Sequence, residues 1–325
     1  MNKIINWKPS ISINNISKRA NIIKKIRKFF NDRSVIEVET PTISHFATTD
    51  VYISSFKTIL KKPGINNPIK MYLITSPEYH MKRLLAAGSG PIFQLCRCFR
   101  NKEIGKKHNP EFTMLEWYRP CFDMYNLINE VNDLFQYILK CDNTELSSYK
   151  DVFIKYLNID PLLAKKTDLL KIAINFNLKD IIKYKKNKDS ILEILFEFCI
   201  RPFLGKKKPI TIYHFPSTQA LLAKINKKDC RVSERFEIYY KGMELANGFD
   251  ELTNFAEQQK RLEDNNIKRN IIGLPVYHID KYFLSALKHG LPNCSGVAVG
   301  VDRLIMIALN SKKINDVIAF PINIA

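Results

Sequence analysis

The chain has 325 residues, 46% of them hydrophobic and 26% charged, so it can bury a sizeable core as one large domain or two small ones. No uninterrupted apolar run is long enough to span a bilayer, and the opening MNKIINWKPSISINN offers only Ile4-Ile5 after its lysine, which is no secretory signal. Seven cysteines form an odd set with no C-x-x-C pair, which suits reduced thiols in a cytoplasm and argues against a structural zinc.

The net charge of +19 has two readings. One is an acidic partner such as nucleic acid, a nucleotide or an acidic protein. The other is codon drift, because Lys, Ile and Asn crowd the whole chain. Runs such as IIKYKKNKDS and GKKKP read as solvated faces, so drift accounts for most of the charge.

Along the chain, residues 15–32 place Ile16, Ala20, Ile23 and Phe30 at helical spacing, which predicts an amphipathic helix. A short strand follows in VIEVETP, ended by Pro41. TSPEYHMKRLLAAG is a helix with Ser76 as N-cap, Pro77 at the first position, Glu78 at the positive end and Gly88 as the stop. Next, FQLCRCFR alternates, with Gln94, Cys96, Cys98 and Arg100 on one face. HNPEFTMLEWYRP alternates again and puts Phe112, Met114, Glu116 and Tyr118 on one face. Two such runs around a polar loop read as antiparallel strands. Either this is a surface hairpin with solvated charges, or the ring, acid and phenol line a binding site; the pattern alone leaves both open.

DMYNLINEVNDLFQYILK is a helix, and residues 141–208 are lysine-rich and mostly helical. PITIYHFP is a strand. RFEIYYKGMELANGF is a hairpin turning at Lys241-Gly242, which pairs Tyr239 with Glu244 and sets Glu237 and Glu244 on one face. A helix over ELTNFAEQQKRLEDNNIKRNI precedes CSGVAVGVDRLIMIAL, a strand that runs into a helix with Arg303 in its first turn. Hairpin-linked strands with helices between them indicate an antiparallel α+β fold. With no repeat and no Pro/Gly/Ser linker, residues 1–325 are expected to form a single domain. The usual nucleotide-binding loops, GxxxxGK[ST] and an early GxGxxG, are missing.

Taken together, SPEYHMKRLL, FRNKEIGKKHNPEFTMLEWY, ELANGFDEL and GVAVGVDR resemble the three motifs of the class II aminoacyl-tRNA synthetases, and the resemblance runs through nearly the whole chain. It implies an antiparallel sheet flanked by helices, ATP and Mg²⁺ as reactants, and a homodimer built on the first motif at Ile36, Val38 and Pro41. Within the class the chain is similar to the catalytic domain of lysyl-tRNA synthetase. That similarity implies that Arg100 holds the α-phosphate and the amino acid's carboxylate, and Arg303 the γ-phosphate. Glu237 and Glu244 would carry Mg²⁺. Phe112 and Arg303 would sandwich the adenine, with Asn101, Lys102, Asn109, Leu245 and Gly300 lining the nucleotide. Glu116, Tyr118 and Glu251 would grip the side-chain ammonium. Glu78, beside Ser76 and Pro77, would meet the other amine, and Asn247 would lie beside the carboxylate. A buried ammonium requires such acids and phenols around it.

Three features depart from the synthetase. No OB anticodon-binding domain fits ahead of the first motif, Ala298 stands where the synthetases have glycine, and Lys102 replaces an expected acid, with Glu103 next. The first two resemble the free-standing elongation factor P–(R)-β-lysine ligases. That family implies activation of (R)-β-lysine, supplied by a lysine 2,3-aminomutase, and its transfer to a lysine of elongation factor P in the cytoplasm. It implies no membrane and no stable nucleic-acid partner. A truncated synthetase charging tRNA and a non-catalytic lysine or nucleotide sensor are the alternatives.

Overall fold

A computed structural model describes residues 7–64, 67–183 and 187–325; Lys185 and Lys186 of the basic run lie outside the described residues. The chain packs as two compact units. The first holds the residues up to Cys121 together with Thr253–Cys294 and Ala298–Ala325, and the second holds Phe122–Leu252 with Ser295–Val297.

The first unit opens with helix α1 (Ile13–Asn31), strand β1 (Ile36–Glu37) and a small sheet of β2 (Ile43–Ser44), β3 (Lys57–Leu60) and β4 (Ile69–Leu73), in the order β2-β4-β3. Helix α2 (Glu78–Ala86) then leads into β5 (Ile92–Phe99) and β6 (Glu111–Pro120), an antiparallel pair. The sheet is mixed, because β1 joins β5 in parallel.

The second unit runs through α3 (Met124–Leu139), β7 (Glu145–Ser148) and the helices α4 (Tyr149–Leu157), α5 (Lys166–Asn175), α6 (Lys179–Ile182) and α7 (Lys188–Leu195). It continues through β8 (Ile210–Tyr213), β9 (Arg235–Tyr240) and β10 (Met243–Asp250). Strand β7 was not legible in the sequence; it pairs in parallel with β8. The lysine-rich helices have a core of their own, in which Tyr149 stacks on Phe196 at 5.4 Å between centroids and packs against Phe153 and Phe215. Gly205, with φ +62°, lets the chain approach the β9–β10 hairpin: a Cβ there would lie 2.4 Å from the Tyr239 carbonyl oxygen, and the Gly205 carbonyl accepts from the Lys241 amide at 2.7 Å. The first unit resumes with α8 (Phe255–Ile271) and α9 (Lys281–His289); β11 (Cys294–Gly300), whose residues Ser295–Val297 belong to the second unit, leads into α10 (Val301–Ala308) of the first.

Two local expectations are corrected. Helix α1 buries Ile22, Ile26, Phe29 and Phe30 and leaves Ile16 and Ala20 exposed. Phe30 stacks on Phe93 at 4.5 Å and meets the edge of Trp117 at 5.1 Å, so the buried stripe is the one that runs back from this aromatic anchor. The N-cap of α2 is Pro77, one residue later than read, while the Ser76 hydroxyl still accepts from the Glu78 amide at 3.0 Å. Gly88 ends that helix with φ +87°, as expected.

One buried carboxylate ties distant parts of the first unit together. Asp302, in the first turn of α10, accepts from the Arg19 guanidinium of α1 at 2.6 Å and from the Thr113 amide of β6 at 2.7 Å. Arg19 also donates to the Thr113 hydroxyl at 2.9 Å and to the Val317 carbonyl at 3.0 Å. Asp302 is 2% exposed, so removing it strands a cation and an amide in a poorly solvated place. Asp302→Ala should therefore lower stability by about 3–5 kcal/mol. Urea unfolding followed by Trp117 fluorescence in a Trp7→Phe background checks this; an unchanged midpoint would show the network to be dispensable.

Candidate active site

The β5–β6 register sets Gln94 opposite Glu116, Cys96 opposite Met114 and Cys98 opposite Phe112, so the two alternating faces expected from sequence are one face of the pair. Glu116 and Tyr118 are buried, which excludes the surface-hairpin reading.

Glu116 sits at the centre of a polar cluster. The Ser76 hydroxyl donates to one carboxylate oxygen at 2.7 Å and the Tyr118 hydroxyl to the other at 2.6 Å. Burial pushes the Glu116 carboxyl up, and the neighbouring Glu78 pushes it further; Tyr118, Ser76 and Lys82 act in the other direction, and it stands at about 7. Pro77 is buried at the mouth of α2. Glu78 is already paired, since the Lys82 ammonium one helical turn on donates to it at 2.6 Å. Lys82 is only 1% exposed.

Sequence reading missed three parts of this cluster. Lys82 was signalled by its Glu78(i)–Lys82(i+4) spacing. Gln94, 2% exposed, has a side-chain carbonyl with no hydrogen-bond partner, and strand parity places it on the Glu116 face. Helix α9 supplies Phe283, which stacks on Tyr79 at 4.4 Å with Lys82 5.9 Å from its ring; nothing local in the sequence pointed there.

Beyond this cluster, the Arg100 guanidinium lies 5.2 Å over the Phe112 ring and 3.8 Å from Glu103, with its Nε donating to the Thr75 carbonyl at 3.4 Å. Asn101 is exposed and bridges to Ser54, whose loop is held by the buried Arg269 through the Asp50 carbonyl at 2.5 Å. Lys102 is exposed with φ +72°. Arg303 meets the His108 ring at 2.5 Å and the Lys107 carbonyl at 3.4 Å. The Asn109 amide is committed within the protein: it donates to the Glu111 carbonyl at 2.7 Å and accepts from the Ile322 amide at 3.0 Å. At Gly300 a Cβ would meet only the Arg303 side chain, at 3.7 Å and beyond, so internal packing does not demand glycine there. Ala298 is half-buried in the same strand.

The second unit carries the other candidates. Lys241 and Gly242, at φ +48° and +69°, make the two-residue turn, and Tyr239 pairs with Glu244 as expected. A bulge between Glu244 and Ala246 then shifts the register, so that Asn247 comes opposite Glu237. Without it, Glu244 and Asn247, three residues apart, would face opposite sides. Leu245, the extra residue, is buried. Glu237 accepts from Arg235 and from the Tyr239 hydroxyl; burial raises its carboxyl, Arg235 opposes that, and Glu244 raises it again. Two hard carboxylates that repel each other are a fitting donor set for Mg²⁺. Glu251 is buried one residue past β10, in a bridge with Ala223.

Comparison with known proteins gives the family of the chain. The family model for class II tRNA synthetases (D, K and N) matches residues 2–324. The chain belongs to that family. It is 54% identical over 322 residues to a protein of Hamiltonella defensa, covering 99% of both chains, and 55% identical over 322 residues to one of Proteus mirabilis, also at 99% of both. A protein of Yersinia pestis matches over 325 residues at 54%, covering both chains completely. All three relatives are named elongation factor P–(R)-β-lysine ligase. As a class II synthetase fold the chain keeps the α+β class read from sequence, and no helix of the described residues is long and apolar enough to cross a membrane.

The Glu116 carboxyl makes stability fall with pH in the ligand-free protein. Its folded value, about 7, is above the ordinary 4.5 of an unfolded chain, so its contribution is complete below about 4.5 and is lost as pH rises through about 7. Glu116→Gln removes that slope. Its melting temperature relative to the parent should rise from pH 5 to about pH 7 and level off above that; parallel curves would refute a carboxyl held up by burial.

Proposed function

We propose that the chain is an ATP-dependent, AMP-forming ligase that activates (R)-β-lysine and passes it to the ε-amine of a lysine on elongation factor P. End-to-end identity of 54–55% with ligases of that name supports the reading. The observation in the molecule that carries it is the buried Glu116–Tyr118–Ser76 cluster, whose acid a substrate ammonium would ionise and satisfy. Binding of that ammonium near pH 7 should accordingly release protons.

Activation joins the substrate's carboxylate to the α-phosphate and expels pyrophosphate; the acceptor amine then attacks the acyl carbon and AMP leaves. The first step brings anions together, so fixed cations contribute most. Arg100, resting on Phe112, is suited to the α-phosphate and carboxylate, and its loose contact with Glu103 is readily exchanged for them. Arg303 is suited to the γ-phosphate and Phe112 to the adenine. Asn101 and Lys102, with the main chain at Leu245 and Gly300, would line the nucleotide, while Asn109, already bonded on both sides, holds the loop. Mg²⁺ at Glu237 and Glu244 would offset phosphate charge. Glu78, Asn247, Glu251 and Ala298 complete the amino-acid side. The exposed Ile36, Ile43 and Pro41 support a homodimer across the first motif. A lysine 2,3-aminomutase would supply the substrate, and the setting would be cytoplasmic.

Arg100→Ala should slow β-lysine-dependent pyrophosphate exchange about a hundredfold or more. Normal exchange in that variant would remove Arg100 from the chemistry. A methyl at Ala298 should disfavour α-lysine by ~1–3 kcal/mol. Ala298→Gly should therefore raise kcat/KM for α-lysine relative to β-lysine, and an unchanged ratio would refute this. The acceptor is decided by incubating the enzyme and ATP with labelled β-lysine and either elongation factor P or total tRNA. Label should appear on the protein; label on tRNA alone would make the chain a tRNA-charging enzyme.

A further inference from the structure

Three sulfur atoms gather on the β5–β6 face between the two halves of the first unit's site. The Cys96 and Cys98 thiols are 3.7 Å apart, and the Cys98 sulfur is 3.9 Å from the Met114 thioether. Cys96 and Met114 are direct cross-strand partners, so all three side chains rise from neighbouring positions on one face. Cys98 is fully buried, Met114 is 4% exposed, and Cys96 is half-buried, which leaves one side of the cluster open to solvent. None of the three has a role in the chemistry above.

The geometry has a simple counterpart. Three sulfurs in a trigonal plane, each about 2.3 Å from a central ion, as zinc–thiolate bonds are, lie about 4 Å from one another. The two observed separations fall just inside that value, and the cross-strand pairing of Cys96 with Met114 sets the third side of the triangle between directly opposed residues. Thiolates and a thioether are soft ligands, which select cuprous-type ions over hard ones. Three ligands in a plane also leave a four-coordinate zinc one short.

We propose that Cys96, Cys98 and Met114 form a binding site for a soft univalent metal ion, Cu⁺ or its redox-inert analogue Ag⁺. The ion replaces the two thiol protons, which pass to the solvent. Occupation places a cation on the face that carries Glu116 and Arg100, so it should inhibit substrate activation. The binding claim stands apart from the proposed reaction; the inhibition claim rests on it.

Silver nitrate titrated calorimetrically into the whole protein, in a Cys121→Ser/Cys141→Ser/Cys230→Ser background free of the more accessible thiols, tests the site. One tight equivalent per chain is expected, and it should disappear in Cys96→Ser/Cys98→Ser. Met114→Leu keeps the volume of the side chain, so it should fold as the parent does. Loss of even an outer-shell partner costs about 10–100-fold in metal affinity, so Met114→Leu should weaken Ag⁺ at least about tenfold. No tight equivalent in the parent, or a tight equivalent that survives loss of both cysteines, overturns the site. A Met114→Leu isotherm superimposable on the parent's overturns the three-sulfur assignment. Pyrophosphate exchange measured with and without one equivalent of Ag⁺ reads the inhibition separately, and an unaffected rate overturns only that part.

Discussion

The buried carboxylate of Asp302 is the constraint on which the first unit depends. It receives a guanidinium from α1 and a backbone amide from β6, and it sits one residue before Arg303. A buried carboxylate tolerates few arrangements, because each unfilled lone pair costs free energy in a place water does not reach. The bonds to Arg19 and Thr113 therefore fix the start of α10, and with it the point from which Arg303 leaves the main chain. Thr113 is in turn the neighbour of Phe112. The arginine and the aromatic ring proposed above for the nucleotide are thus positioned through one acid.

The amino-acid cluster follows the opposite logic. Asp302 is neutralised within the protein, whereas Glu116 receives only hydroxyl donors while Glu78 and burial both oppose its charge. Lys82 is already committed to Glu78, so the cluster holds more capacity for positive charge than its own residues fill. Such a site is unfavourable when empty and ionised, and becomes favourable when a cation enters. On the proposed function, stability is given up locally in exchange for selectivity toward an ammonium-bearing substrate.

Much of this was legible in the sequence because it depends on strict periodicity. Alternation in β5 and β6 correctly grouped Phe112, Met114, Glu116 and Tyr118, and the Lys241-Gly242 turn correctly paired Tyr239 with Glu244. What escaped depends on tertiary context. The buried face of α1 was misplaced because Ile16 and Ala20 continue the helical spacing, and only the stacking of Phe30 on Phe93 shows which stripe is inside. The bulge that brings Asn247 opposite Glu237 has no side-chain signature, since one extra residue in a strand looks like any other. Strand β7, a four-residue partner for β8, is too short for alternation to reveal. Helix α9 contributes Phe283 from more than two hundred residues beyond Tyr79 in sequence.

Lys102 stands where the resemblance to the synthetases implies an acid, and the turn around it brings a different acid near Arg100. Lys102 is exposed and takes a left-handed conformation, φ +72°, which is uncommon for a residue other than glycine. The next residue, Glu103, is half-buried and returns to within 3.8 Å of Arg100. An acid therefore lies beside the Arg100 guanidinium, one position further along the turn. At that distance and exposure the pair contributes little to stability, on the order of 0–1 kcal/mol. On the proposed function that weakness suits the site: a tight ion pair would have to be broken before Arg100 could meet phosphate, whereas this one would be given up at small cost. The turn's geometry thus keeps a carboxylate beside Arg100 and carries the lysine on its exposed side.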